Sequence, residues 1–291
     1  MTDAQHLTQT LGGHWRGQSG NAPCPICQPE RRRDQDGLSL RNTRGRLLLH
    51  CHKSDCAFVD IVRAAGLPPD SPNVDPNINW MPRTVAVQND AKRERQANAI
   101  WAETTPLPGT LAETYLRGRG ITCALPDTLR FHPHGWHQTG HHRPMLLAQV
   151  EGAARFAVHR TYLNPEGGKA KVDPPKAMLG TCAGGAVRLS QADGPLVVCE
   201  GIETGLSLLC GLLRGPATVW AALSTSGLRG LHLPPVAGRL TIASDGDAPG
   251  REAAQALAFK AQALGWKVSL LPAPDGRDWA DIVALKRGAA C

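Results

Sequence analysis

Between residues 195 and 271 the chain alternates short, wholly apolar runs with segments whose apolar positions recur every three or four residues. Pro195–Cys199 (PLVVC) is a continuous apolar run of buried-strand length, and Ala217–Leu223 (ATVWAAL), Arg239–Ser244 (RLTIAS) and Lys267–Leu271 (KVSLL) read as three further strands. Between them Ile202, Leu206, Leu209 and Leu213, and later Ala253, Leu257, Ala261 and Leu264, mark helix faces. Strands alternating with helices imply a parallel sheet with right-handed crossovers.

The upstream pattern differs. From Leu129 to Leu189 short apolar runs are broken by Gly and Pro, predicting antiparallel strands at Pro144–Val150, Arg155–Leu163 and Ala186–Leu189. A helix is expected from about Ala91, reaching Ile100 and Trp101 before the break at Pro108-Gly109. A second covers Leu111–Arg117 and stops at Gly118. Pro68 to about Asn89 has linker composition, with prolines spread through polar residues. The expected fold is α/β within an α+β whole. Its segments are a cysteine-bearing domain (1–67), a linker (68–90), a helical then mixed region (91–190) and a parallel α/β domain (191–291).

A chain of 291 residues has room for two or three compact units. No stretch approaches the ~20 apolar residues that span a bilayer, and residues 1–20 lack the apolar core of a secretory signal. The expected location is therefore the cytoplasm, with no membrane partner. The net charge of +7 is uneven: residues 1–66 carry nine Lys/Arg against six Asp/Glu and residues 155–188 six against two, whereas 189–291 balance at nine each. A basic excess outside an acidic segment fits a polyanion held in one place and a cation in another.

Four of the nine cysteines fall within 33 residues. Cys24 and Cys27 form a C-x2-C knuckle, and Cys51 and Cys56 a C-x4-C pair 23 residues further on. Two such pairs can close a tetrahedral thiolate site around structural zinc, supplying folding energy that so small a segment lacks. His50 and His52 flank Cys51, and either can stand in for a cysteine. Arg31-Arg32-Arg33, Arg41, Arg44 and Arg46 lie between the pairs, as a solvated face or as phosphate contacts. The other cysteines read as small buried hydrophobes.

Glu200 directly follows the run PLVVC, and Asp245-Gly246-Asp247 directly follows RLTIAS. Both therefore sit at carboxyl ends of parallel strands, where such sheets bind ligands. Gly246 lets the two aspartates face one side. Converging carboxylates call for a hard cation, and Mg2+ suits them. Asp278 and Asp281 add a second acidic corner, whose alternative role is helix capping. His132, His134, His137, His141 and His142 suggest a second metal, but Pro133, Gly135 and Gly140 among them read as loop.

VVCEGIETGLSL followed by LTIASDGDAPGREAAQALA resembles the Toprim domain shared by bacterial primases, topoisomerases and some nucleases. The resemblance maps the family's glutamate onto Glu200 and its D-x-D onto Asp245 and Asp247, with Asp278 in RDWAD matching the later acidic motif. At Thr204 replicative primases carry an aspartate; the departure resembles phage and plasmid primases. APCPIC, GLSLR and LLLHCHKSDCAFVDIVRAAGL resemble the zinc ribbon and trailing helix of mobile-element primases, with Cys27 where a histidine is frequent. PPKAMLGTCAGGAVRL resembles the segment in which primases set basic residues along template and nucleotide. That role falls on Lys176, with Lys171 and Arg160 as further matches. The likeness covers about 20–66 and 155–285, and is only general over 68–130.

The resemblance implies a zinc-ribbon nucleic-acid-binding domain at 1–67, the first part of a primase core at 91–190 and a Toprim domain at 191–291. It implies a DNA primase of a phage, plasmid or other mobile element, joining NTPs or dNTPs on single-stranded DNA. Glu200, Asp245 and Asp247 would hold Mg2+ or Mn2+, with Asp278 beside them; zinc would sit on Cys24, Cys27, Cys51 and Cys56. Phe58 or His52 would stack on a base or simply pack locally. The chain ends soon after the Toprim region and has no G-x-x-x-x-G-K-[ST] loop, so a helicase or initiator is expected on another chain. Two other readings use the same residues: a Toprim nuclease activating water, and a zinc-dependent DNA-binding protein with an inactive metal site. With only Tyr115 and Tyr162 as candidate nucleophiles, a topoisomerase is not expected.

Overall fold

A computed structural model describes residues 4–32, 34–43, 46–54, 56–67 and 83–288. Residues 68–82 of the expected linker, and Arg33 and Arg44, lie outside the described residues. The chain divides into two compact units, 1–87 and 88–291. Among the described residues no helix is long and apolar enough to cross a membrane.

The first unit contains α1 (Ala4–Thr10), β1 (His14–Trp15), β2 (Ser19–Ala22), β3 (Leu38–Thr43), β4 (Arg46–Cys51) and α2 (Phe58–Ala64). The strands form one antiparallel sheet in the order β1-β2-β3-β4. Leu38 faces Cys51 and Leu40 faces Leu49 across β3 and β4, and these four side chains are buried with Leu7, Leu11 and Ile61. Cys24 and Cys51 belong to that same small core, and Cys27 and Cys56 pack against it.

The second unit opens with α3 (Arg83–Ala102), longer at its start than the apolar pattern indicates, then β5 (Thr105–Pro106) and α4 (Leu111–Gly118). The Thr110 side chain caps α4 by accepting the N–H of Glu113. Next come β6 (Leu129–Trp136), β7 (His142–Val150), β8 (Ala157–Tyr162) and β9 (Lys176–Leu179), making an antiparallel sheet in the order β5-β6-β7-β8-β9. The histidine-rich segment is thus largely strand, not loop. Pro133 and His134 sit in the register shift between His132 and Gly135, a bulge that needs no ladder N–H from proline.

The remaining elements are β10 (Val187–Ser190), β11 (Leu196–Cys199), α5 (Ile202–Leu209), β12 (Thr218–Ala221), α6 (Thr225–Gly230), β13 (Arg239–Ala243), α7 (Ala248–Ala263), β14 (Lys267–Leu270) and α8 (Trp279–Gly288). Strands β12, β11, β13 and β14 lie parallel in that order. The run around Ala186–Leu189, expected in the upstream antiparallel region, instead adds β10 to this sheet, antiparallel to β12 at its edge.

Both faces of the parallel sheet are covered over β11, β12 and most of β13, which explains their apolar character, whereas the edge strand β14 is largely exposed. Val197, Cys199, Val219 and Ala221 enter a core shared with Ile202 and Leu206 of α5 and with α4. Alternate residues Leu196, Val198, Trp220, Leu240 and Ile242 face the other way, onto Leu228 of α6 and Ala253 and Leu257 of α7. A separate cluster joins Ala97 of α3 to Met145, Leu147, Val158 and Tyr162 of the antiparallel sheet. The fold is therefore mixed α+β, with a small antiparallel cysteine-bearing unit and a mostly parallel C-terminal sheet.

Candidate functional site

Strands β11 and β13 are adjacent and parallel, with Cys199 opposite Ala243 at their ends. From β11 the chain turns into α5 on one face; from β13 it turns into α7 on the other. Helices departing to opposite faces open a crevice beyond the carboxyl ends, the topological switch point of such sheets. Glu200 and Asp245 lie in that crevice.

Burial comes first among the causes that push the Glu200 carboxyl from 4.5 to about 7; the charges of Asp245 and Asp247 add to it. Lys176 and a hydrogen bond from the Thr225 backbone act in the opposite direction. Asp245 is pushed to about 6 by burial and then by Asp278, Asp247 and Asp281, again opposed by Lys176. Its Oδ1 is buried and has no hydrogen-bond partner. A buried, unpartnered carboxylate oxygen among other carboxylates fits a cation, so the donor set suits Mg2+ or Mn2+. The three carboxylates do not, however, form a tight cluster of ligand atoms; among the described residues only the four cysteines do.

Asp247 is exposed, and its Oδ1 accepts the N–H of Gly250 at 2.8 Å, capping α7. Gly246 serves close approach: a Cβ there would strike the carbonyl oxygen of Pro274. Its N–H bonds to the Arg277 carbonyl at 2.8 Å, and its own carbonyl accepts from Gly276 at 3.0 Å. This contact brings the 274–277 turn, and Asp278 after it, against the D-x-D. Asp278 and Asp281 exchange side-chain-to-backbone bonds of 2.8 and 3.2 Å at the start of α8. They cap the helix and also contribute charge to the site.

Lys176, on β9, lies opposite Thr161 of β8, whereas Arg160 lies opposite Ala177. Strand alternation therefore puts Lys176 and Arg160 on opposite faces of the sheet. Arg160 packs over the Tyr162 ring at 5.8 Å. Lys171 is exposed on the loop before β9. Of the three basic candidates, only Lys176 is brought to the carboxylates.

The structure adds residues that the sequence does not single out. Glu203, in the first turn of α5, is 7% exposed. Its Oε2 accepts from Lys176 Nζ at 2.9 Å and its Oε1 from the Tyr115 hydroxyl at 2.7 Å. Despite burial, which acts the other way, Lys176 and these bonds hold its carboxyl down at about 2. His159 is buried on the same face as Lys176, and desolvation lowers it to about 4. The Lys169 ammonium is lowered by burial and by Lys176, with Arg119 also acting on it. The sequence signal for Glu203 is its place in the strand-end run E-G-I-E-T that begins at Glu200, which gives it no role of its own.

In the first unit the ligand sulfurs of Cys24, Cys27, Cys51 and Cys56 all lie within 4.8 Å of one another. Burial notwithstanding, backbone N–H groups of Cys56, Ser54 and Lys53 draw the Cys51 thiol down to about 7. Burial pushes Cys27 up to about 11, and Cys56 upward as well. Four clustered sulfurs, one held near thiolate form, are the donor set of a closed structural zinc site. The cluster needs no histidine: His52 Nε2 bonds the Ser39 hydroxyl and stacks edgewise on His50. Phe58 packs against the core. Of the histidines at 132–142, His132 pairs with Glu103 at 3.0 Å and His137 with Thr139 and the Pro174 carbonyl.

Residues 195–290 match the family described as Toprim domain, and residues 91–189 match one described as a domain of unknown function (DUF7146). The C-terminal segment thus carries a Toprim fold. No curated protein matches the chain. Among solved structures, it is similar to a DNA primase domain from Pseudomonas aeruginosa, with 18% identity, 69% of this chain and 76% of that one covered, and a TM-score of 0.39. The Aquifex aeolicus primase (zinc-binding and RNA polymerase domains) gives 13%, 100% and 84%, and 0.40. The primase fragment of the bacteriophage T7 primase-helicase protein gives 15%, 92% and 96%, and 0.34.

Proposed function

We propose that this chain is a DNA primase that makes short primers on single-stranded DNA by metal-dependent nucleotidyl transfer, in service of a phage, plasmid or other mobile element in the cytoplasm. The observation that carries this reading is the pair Glu200 and Asp245 placed together at the switch point of the parallel sheet, the buried Oδ1 of Asp245 without a hydrogen-bond partner, and the charge of Lys176 acting on both. Glu200, Asp245 and Asp247 would hold Mg2+ or Mn2+, with Asp278 adding charge behind Asp245. The bound ion supplies neutralisation of the transferring phosphoryl group and activation of the attacking hydroxyl.

The chain's own groups would do the rest. Lys176 would meet the nucleotide phosphates, with Lys171 on the loop that leads into β9. Arg160, on the far face of its sheet, would act on template backbone. The zinc-bearing unit, taken as residues 1–67, would hold single-stranded template through backbone charge, Arg31 and Arg32 among the contributors. On this reading 91–190 and 191–291 together form the catalytic core. A helicase or initiator on another chain would expose the template.

The test is primer synthesis on single-stranded DNA with NTPs or dNTPs and Mg2+ or Mn2+, comparing wild type with Asp245→Asn and Asp247→Asn. Incorporation lost in both variants supports the proposal. Template degradation without incorporation would replace it with a Toprim nuclease, and binding without reaction with a DNA-binding protein.

A further inference from the structure

Lys176 Nζ has one close anionic partner, Glu203, at 2.9 Å. Glu203 stands in the first turn of α5, three residues after Glu200, so its partner Lys176 is held beside the crevice, within electrostatic range of Glu200 and Asp245. Three carboxylates therefore compete for one ammonium. Glu203 wins by construction: it is buried in the first turn of α5, and its second oxygen is pinned by Tyr115 of α4 at 2.7 Å. Both of its oxygens are thereby engaged, and neither is left to join the crevice.

We propose that Glu203 is a positioning residue: it anchors the Lys176 ammonium at the rim of the crevice and so keeps it from pairing with Glu200 and Asp245, leaving those two carboxylates available to a divalent cation. This rests on the metal-binding reading above. Released from Glu203, the ammonium would be drawn to Glu200 and Asp245, on which its charge already acts, and would take, as an internal cation, the place of the external one. Tyr115 is the fixed point of the arrangement. Its hydroxyl stays protonated, since burial and the Glu203 charge push it well above its usual range. The device places an acidic side chain at 203, one position before Thr204, and turns it toward a lysine and away from the crevice.

The experiment is Mn2+ binding to the full zinc-loaded chain, read by electron paramagnetic resonance of the free ion. Glu203→Gln keeps the size of the side chain and removes its charge. It is expected to weaken Mn2+ binding by roughly tenfold, as a contact charge at a high effective dielectric would. Glu203→Asp keeps the charge but shortens the reach to Lys176, and is expected to weaken binding severalfold. The double variant Glu203→Gln/Lys176→Met removes the competitor and is expected to return to near the wild-type affinity. A long-range charge effect alone would leave Glu203→Asp like wild type, and would overturn the proposal. So would Glu203→Gln that folds cooperatively and binds Mn2+ as wild type does; that result leaves the metal site standing. If wild type binds Mn2+ no better than Asp245→Asn, the metal-binding reading falls and this inference falls with it. The two failures are thus distinguishable.

Discussion

At the scale of single residues the crevice is a set of charges held where they destabilise the protein unless a cation joins them. Glu200 at about 7 and Asp245 at about 6 are both raised above the values of free side chains. Between pH ~4 and ~7 the metal-free folded chain therefore keeps protons that the unfolded chain has released, and its stability falls as pH rises through that window. Asp245→Asn removes one charge at nearly constant shape. It should raise the stability of the metal-free protein at pH 7.5 by about 1–2 kcal/mol, allowing for partial solvent screening, while abolishing primer synthesis. Thermal melts beside the activity assay check this; a destabilised variant would contradict it. Because both carboxyls are raised toward neutrality, Mn2+ binding at pH 6.5 should release on the order of one proton. Calorimetry in two buffers of different ionisation enthalpy measures that release, and binding without it would show that other groups hold the ion.

At the scale of elements, Asp278 and Asp281 hold the first turn of α8 through reciprocal bonds. Asp281→Ala removes one half of that box and should cost about 1 kcal/mol, with Asp245 shifted downward because one repelling charge is gone. Melting curves and an NMR titration of Asp245 read the two effects separately. What the sequence makes legible follows from the range over which each element is determined. Strands β11 and β13 are buried on both faces, so they stand out as unbroken apolar runs, and Glu200 and Asp245 follow them directly. By contrast, β6 is built from LRFHPHGW, whose proline and histidines conceal it, because the bulge that accommodates Pro133 is set by pairing with β7. The strand β10 reads as antiparallel, and is; which sheet it joins depends on β12, thirty residues later. Glu203 is visible in the run E-G-I-E-T, but its role is hidden for the same reason, since its partners Lys176 and Tyr115 lie 27 and 88 residues away in the chain.

At the scale of the whole molecule, the two compact units have separate cores: one cluster lies wholly within residues 4–67, and the other three within 97–279. The first is small, and two of its twelve buried members are cysteines of the metal cluster. A core of that size rarely supports a fold alone, so most of the first unit's stability should come from the ion on Cys24, Cys27, Cys51 and Cys56. The second unit buries three clusters of its own, and none of the four cysteines belongs to them. A strong chelator should therefore unfold the first unit and leave the second near its original melting temperature, with a single zinc released per chain. Cys51→Ser should reproduce the effect, because Cys51 combines burial in that core with the thiol held nearest to thiolate form. Calorimetric scans with and without chelator, together with elemental analysis, would show it as the loss of one transition. If both transitions moved together, the units would be energetically coupled. Template-dependent synthesis should disappear with the first transition while Mn2+ binding at Glu200 and Asp245 persists, separating the grip on template from the chemistry of the crevice.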